Sequence, residues 1–184
     1  IDGKIIGDES HFDYNTLPKG WDSTDLGNYY GAGAAGLNIH ENLYTVTLKT
    51  GRMIGDPTTY LHTDIPTGIQ FENHITTGAA NSGDNGYIIG YPYSYNRKMT
   101  GTVPLSADTF CIKGSLPDPP LYFAKYFYDK LKLNGVKVKD YSTSRIEPVE
   151  DLPYKKSISD YNSPPLKTLV KLCNMRSVNL YAEA

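Results

Sequence analysis

Between Leu43 and Lys49 the side chains alternate strictly, with Leu43, Thr45, Thr47 and Lys49 on one face and Tyr44, Val46 and Leu48 on the other. A repeat of two fits an extended strand with one face turned inward. The rest of the chain is rich in strand and turn residues, with 16 Tyr, 17 Gly and 12 Pro among 184 residues. Gly3 to Gly7, Gly68 to Thr77, Tyr87 to Tyr93, Met99 to Val103 and Thr109 to Lys113 read as further strands, the last two as a pair. Asp84-Asn85-Gly86 predicts a hairpin turn, because Asn-Gly accepts the positive φ of tight turns. Residues 15–36 read as an irregular loop.

Two helices stand out against this background. Asp118 is an N-cap with Pro119 and Pro120 in the first turn, where no amide donor is missed. Phe123, Ala124, Phe127 and Leu131 then share a face, Asn134-Gly135 closes the helix, and Val136 and Val138 resume a strand. The second helix opens at Ser163-Pro164-Pro165, with Leu166, Leu169, Val170 and Cys173 at i, i+3, i+4 and i+7. The fold class expected is α+β, mostly antiparallel sheet with a few helices.

Charge narrows the function. Lys plus Arg number 18 and Asp plus Glu 20, a formal net charge of −2, which argues against a nucleic-acid partner. No apolar run approaches the roughly 18–20 residues of a membrane span. Cys111 and Cys173 either pair in an oxidising compartment or serve as small buried apolar residues, and the buried reading is favoured. The chain begins at Ile1 without a basic n-region or apolar h-region. It ends in Tyr181-Ala182-Glu183-Ala184, helix formers with no closing Gly, Asn or Pro. The uncapped end reads as a cut, so a piece of a longer protein is expected.

Several motifs have ordinary explanations. Gly31-Ala32-Gly33-Ala34-Ala35-Gly36 matches GxGxxG, but a dinucleotide site needs a hydrophobic strand before it and a helix after it. Here it reads as a small-residue loop. His11, His40, His62 and His74 are scattered without metal-ligand spacing, and no cofactor is called for. Tyr87, Tyr91, Tyr93 and Tyr95 read first as cover for a sheet face and second as a stacking surface for sugar rings or bases.

Serine chemistry needs a nucleophile beside a base. One solution, used by penicillin-binding proteins and class A β-lactamases, combines S-x-x-K, S-x-N and K-T-G. None of the 12 serines has a lysine three residues on. S-x-N occurs at Ser94-Tyr95-Asn96 and at Ser177-Val178-Asn179, close to what chance gives. Context separates them. Ser94 lies in a polar turn, whereas Ser177 sits in a short break between two helical runs, where a hydroxyl and an amide can face a cleft from a rigid support.

The stretch from Ser163-Pro164-Pro165-Leu166 to Ser177-Val178-Asn179-Leu180 resembles the S-x-N region of the D-alanyl-D-alanine carboxypeptidase/endopeptidase family, the class C low-molecular-mass penicillin-binding proteins. Gly7-Asp8-Glu9-Ser10-His11-Phe12-Asp13 resembles that family's "DDSYFD" stretch, followed in order by Gly20-Trp21, Tyr29-Tyr30-Gly31-Ala32, Asn42, Gly51 and a "GSIPDPP"-like turn from Gly114 to Pro120. In the family S-x-x-K comes first, then a long insertion, then S-x-N, then K-T-G. Lys49-Thr50-Gly51 precedes Ser177 and falls in the insertion's strand pair, so it reads as a decoy.

The resemblance implies an inserted β-rich domain over about 1–107, a small α+β unit over 108–150, and over 151–184 a helical segment of the transpeptidase-like domain. It also implies acyl transfer on peptidoglycan stem peptides ending in D-Ala-D-Ala, in the periplasm or cell envelope, with β-lactams binding the full-length parent only. Ser177 would relay a proton and Asn179 would hold the substrate amide as catalytic residues. Asp8 and Phe12 would meet the stem peptide's diamino acid, although Asp8 serves equally well as a strand terminator. The alternative is a non-catalytic envelope module that binds glycan or protein through its Tyr-rich face.

Overall fold

The computed structural model describes residues 3–106, 108–148 and 156–184. The boundaries expected near residues 107 and 150 fall on residues outside these. Along the chain come β1 (Lys4–Gly7), β2 (Leu43–Lys49), β3 (Thr59–Thr63), β4 (Gln70–Asn73), β5 (Thr76–Gly78), β6 (Asn85–Ile89), β7 (Asn96–Pro104), β8 (Thr109–Ser115), α1 (Pro119–Leu133), β9 (Asp140–Thr143), α2 (Leu166–Arg176) and α3 (Asn179–Glu183). Short 3-10 turns occupy Tyr29–Gly31 and His40–Asn42. This is the α+β class expected, with pairings of both senses: β2–β3, β2–β8 and β6–β7 are antiparallel, while β1–β9, β4–β7 and β5–β7 are parallel.

The alternation in β2 does what its sequence demands. Tyr44, Val46 and Leu48 are buried and anchor the core with Ile88, Met99, Val103 and Ile112. β2 pairs with β8 over its full length, from Leu43 opposite Ser115 to Lys49 opposite Thr109, and carries β3 on its other edge. A second sheet orders β4, β7 and β5, with β6 also on β7.

Several strand expectations change, and the strand expected from Tyr87 to Tyr93 ends at Ile89. Asn85 and Gly86 lie within β6, opposite Thr102 and Gly101, rather than in a hairpin turn. The positive φ angles fall instead at Asn81, Gly83 and Gly101, and the Asp84 carboxylate takes the Gly86 amide at 3.0 Å, so the turn is made before the Asn-Gly pair. β7 and β8 do not pair with each other, because β8 completes the β2 sheet. The residues expected as one strand from Gly68 to Thr77 form two short ones, β4 and β5.

Asp118 Oδ1 accepts the Leu121 amide at 3.1 Å and so caps α1 as its sequence requires. At the other end Gly135 is left-handed, and the Val136 and Gly135 amides donate to Leu131 and Lys132, a Schellman closure. That closure uses Val136, so the next strand starts only at Asp140, pairing with β1. The buried positions of α1 are Pro119, Pro120, Tyr122 and Ala124; Phe127, expected inside, is 47% exposed, because the helix rests on β1 and β9 by its first half. α2 forms where its apolar stripe predicts, yet none of its residues is buried: Leu166 and Val170 face outward. Cys111 shares the outer face of β8 with Lys113, and Cys173 is half-buried. Both are free thiols, so neither the pairing nor the fully buried reading holds.

Candidate active site at the Ser177–Asn179 helix break

α2 stops because Ser177 turns left-handed, with φ 51° and ψ 51°, and Val178 is extended before α3 begins at Asn179. The break expected from sequence is there. Leu180, buried, ties α3 to the β-rich body. Asn179 Nδ2 donates to the Tyr30 carbonyl at 2.8 Å, and the Tyr181 hydroxyl donates to Glu41 Oε1 at 2.8 Å. The Cys173 thiol reaches the Val178 carbonyl at 3.6 Å.

Ser177, Val178 and Asn179 line a cleft of about 370 Å³ whose far wall is built by Tyr29, Tyr30, Leu43, Cys111 and Lys113. Arg176 and Lys113 bring positive charge to it, Glu41 and Asp84 negative charge. Among the described residues no hydrogen bond engages the Ser177 hydroxyl. Asn179 spends one amide proton on Tyr30 and keeps a second proton and its carbonyl oxygen. Burial, then a hydrogen bond to Asp25, pushes the Tyr30 phenol up to about 12, so it stays protonated. The arrangement can hold an extended amide beside a free hydroxyl.

Asp8 and Phe12 are not in this cleft. Asp8, exposed just after β1, accepts the Ser10 amide at 3.0 Å. Phe12, half-buried, lines a separate hollow of about 380 Å³ with Asp13, Leu17, Ala34 and Glu183. α3 links the two, since Asn179 at its start lines one and Glu183 at its end lines the other.

Ser94 lies in a turn whose carbonyl Arg97 engages at 2.7 Å. Lys49-Thr50-Gly51 leads out of β2, with the Thr50 hydroxyl donating to Ser106 and the Gly51 amide to Thr77, away from the cleft. Gly31, Gly33 and Gly36 are glycines because any Cβ there would collide with the backbone of Asp25, Thr16 and Glu9, and no helix follows them. Of the tyrosines read as sheet cover, Tyr87 and Tyr91 are 48% and 58% exposed. Tyr93 instead bonds the Tyr14 carbonyl beneath Arg145, and Tyr95 packs on the core.

The sequence reading missed a buried charge cluster beside Asp8. Glu9 and Asp118 are 2% and 3% exposed, and Arg145 bridges them, Nη2 to Asp118 and Nε 3.6 Å from Glu9. Burial pushes both carboxyls above their ordinary range, against the pull of Arg145. Asp118 was visible only as a cap. Glu9 lies inside the stretch that resembles the family but carries no expected role, and nothing in the local sequence marks Arg145. Among the described residues no group of three or more His, Cys, Asp or Glu is placed to hold a metal ion, and no helix is long and apolar enough to cross a membrane.

The fold has a counterpart among solved structures. Penicillin binding protein 4 (dacB) from Haemophilus influenzae superposes with a TM-score of 0.63 at 18% identity, over 95% of this chain and 38% of that one. A β-lactam complex of the same protein matches at a TM-score of 0.48 and 16% identity, over 76% of this chain and 31% of that one. No curated protein sequence matches. The chain therefore spans well under half of the solved protein it resembles. The model of the D-Ala-D-Ala carboxypeptidase 3 (S13) family matches residues 1–184, and the chain belongs to that family.

Proposed function

We propose that this chain is part of a serine D-Ala-D-Ala carboxypeptidase/endopeptidase of the cell envelope, acting on peptidoglycan stem peptides, and that Ser177 and Asn179 are its S-x-N residues. The observation that carries the reading is the placement of these two side chains on one lip of a cleft, at a helix break, with Asn179 oriented by Tyr30. Residues 1–150 are then insertion and 151–184 a piece of the catalytic domain, and the S-x-x-K serine lies elsewhere in the full-length protein. That serine adds to the penultimate D-Ala carbonyl. The C–N bond breaks, the terminal D-Ala leaves with a proton relayed through the Ser177 hydroxyl, and water then hydrolyses the ester. Asn179 donates its remaining amide proton to the substrate carbonyl. Asp8 and Phe12 lie outside the cleft and would contact a more distant part of the stem peptide.

Labelled penicillin tests the reading. The 184-residue chain takes no covalent label, because none of its serines has a lysine three residues on; the full-length protein takes about one equivalent. A stoichiometric adduct on the short chain, or none on the long one, sinks the assignment.

The exposed rings of Tyr87 and Tyr91 favour a second reading, an envelope module that stacks on glycan. Muropeptide titration separates the two: Tyr91→Ala abolishes binding if the module reading holds and leaves it unchanged if the cleft is the site.

A further inference from the structure

His40, Glu41 and Asn42 all have positive φ, at 53°, 55° and 54°. Three successive non-glycine residues in the left-handed region are strained, and such strain persists only where the surroundings over-determine it. Here they do. Asn42 is buried; its Oδ1 accepts the Ile39 amide at 3.2 Å, and its Nδ2 donates to the Gly33 carbonyl at 3.0 Å and to Asn38 Oδ1 at 2.7 Å. Its own carbonyl accepts the Leu116 amide at 2.7 Å. The strained turn brings Glu41 to the Tyr181 hydroxyl of α3.

α3 has five residues, too few to hold a helix by itself, and it carries Asn179 on its first turn. Leu180 is the buried residue of α3 and fixes how deep the helix sits, but a single buried side chain sets rotation about the helix axis only loosely. Two hydrogen bonds flank Leu180 in sequence, Asn179 to Tyr30 and Tyr181 to Glu41. Together they lock that rotation. The Glu41 carboxylate also pushes the Tyr181 phenol up.

We propose that Glu41 and Tyr181 are positioning residues: the strained turn presents a carboxylate that orients α3, and through it the Ser177–Asn179 pair, toward the cleft. The purpose of this clamp rests on the catalytic reading above, whereas its existence does not.

Millisecond hydrogen exchange on the 184-residue chain, read over residues 177–184, tests the clamp. Tyr181→Phe and Glu41→Ala speed exchange there about tenfold, as expected for losing a hydrogen bond to a charged acceptor, while β2 keeps its protection. Glu41→Gln, which retains an acceptor oxygen, recovers most of it. Exchange within twofold of the unaltered chain in both deletions overturns the clamp. In the full-length protein Tyr181→Phe lowers kcat for D-Ala release about tenfold at unchanged KM, and an unchanged kcat overturns the positioning role. If the unaltered full-length protein releases no D-Ala, the catalytic reading fails, and the exchange result still decides the clamp.

Discussion

Asp118 and Arg145 join the start of α1 to the end of β9: one carboxylate oxygen takes the Leu121 amide at 3.1 Å and the other takes the guanidinium of Arg145. A single buried side chain thus ends one backbone defect and neutralises one charge. Asp118→Ala removes both, a cap worth about 1 kcal/mol and one arm of a largely buried pair, and should cost about 2–4 kcal/mol in urea unfolding. Asp118→Asn keeps an oxygen for the cap and should lose less. Equal losses in the two variants mean that the cap contributes nothing.

The pH dependence has a definite sign. Burial holds the carboxyls of Glu9 and Asp118 above their ordinary values, so the folded state keeps protons that the unfolded chain releases. A raised carboxyl contributes stability while it is protonated, and that contribution is lost as pH rises from the unfolded value, about 4, through the folded one. The melting temperature should therefore be higher near pH 5 than at pH 7. Asp22 and Glu72 are shifted the other way, but both are exposed and act below this window. Glu9→Gln should flatten the slope. A melting temperature that climbs steadily from pH 5 to pH 7 contradicts the burial argument.

Arg97 is 2% exposed and has no carboxylate partner among the described residues; its Nη1 donates to the Tyr91 carbonyl at 3.0 Å and the Ser94 carbonyl at 2.7 Å. The guanidinium fills the space beside Gly90 and folds the loop that carries Tyr91 and Tyr93. Arg97→Met keeps most of the volume but strands those carbonyls, at about 1–3 kcal/mol. Limited proteolysis should then cut first between residues 90 and 96. Cleavage that begins elsewhere argues against this role.

What could be read in the sequence is what is encoded locally. The buried face of β2 follows from its period of two, both ends of α1 from Asp118, Pro119 and Gly135, and the helix break from the stripe that stops before Ser177. Cys111 was legible too, since it alternates with Ile112 and shares a face with Lys113. Strand partners were not, because pairing is decided across the chain: β8 adds to β2, and Asn85-Gly86 is drawn into β6 by β7. The candidate site divides in the same way. Ser177 and Asn179 carry a motif, whereas Glu41 meets Tyr181 across 140 residues and Glu9 meets Arg145 only after folding.

The left-handed backbone at Ser177 yields the sharpest separation of stability from function. A residue with a Cβ at φ 51° and ψ 51° is strained, and at a helix C-terminus glycine is the preferred solution. Ser177 is exposed and its hydroxyl makes no hydrogen bond among the described residues, so nothing in the folded chain is lost with it. Ser177→Gly should leave the chain as stable as before or raise its stability by up to about 1 kcal/mol in urea unfolding. If Ser177 relays the proton as proposed, the same change in the full-length protein should slow D-Ala release on the order of 10²-fold. A protein that keeps serine at such a site accepts strain for the hydroxyl. If Ser177→Gly instead destabilises the chain by more than about 1 kcal/mol, the hydroxyl holds the break together and the relay role loses its main physical support.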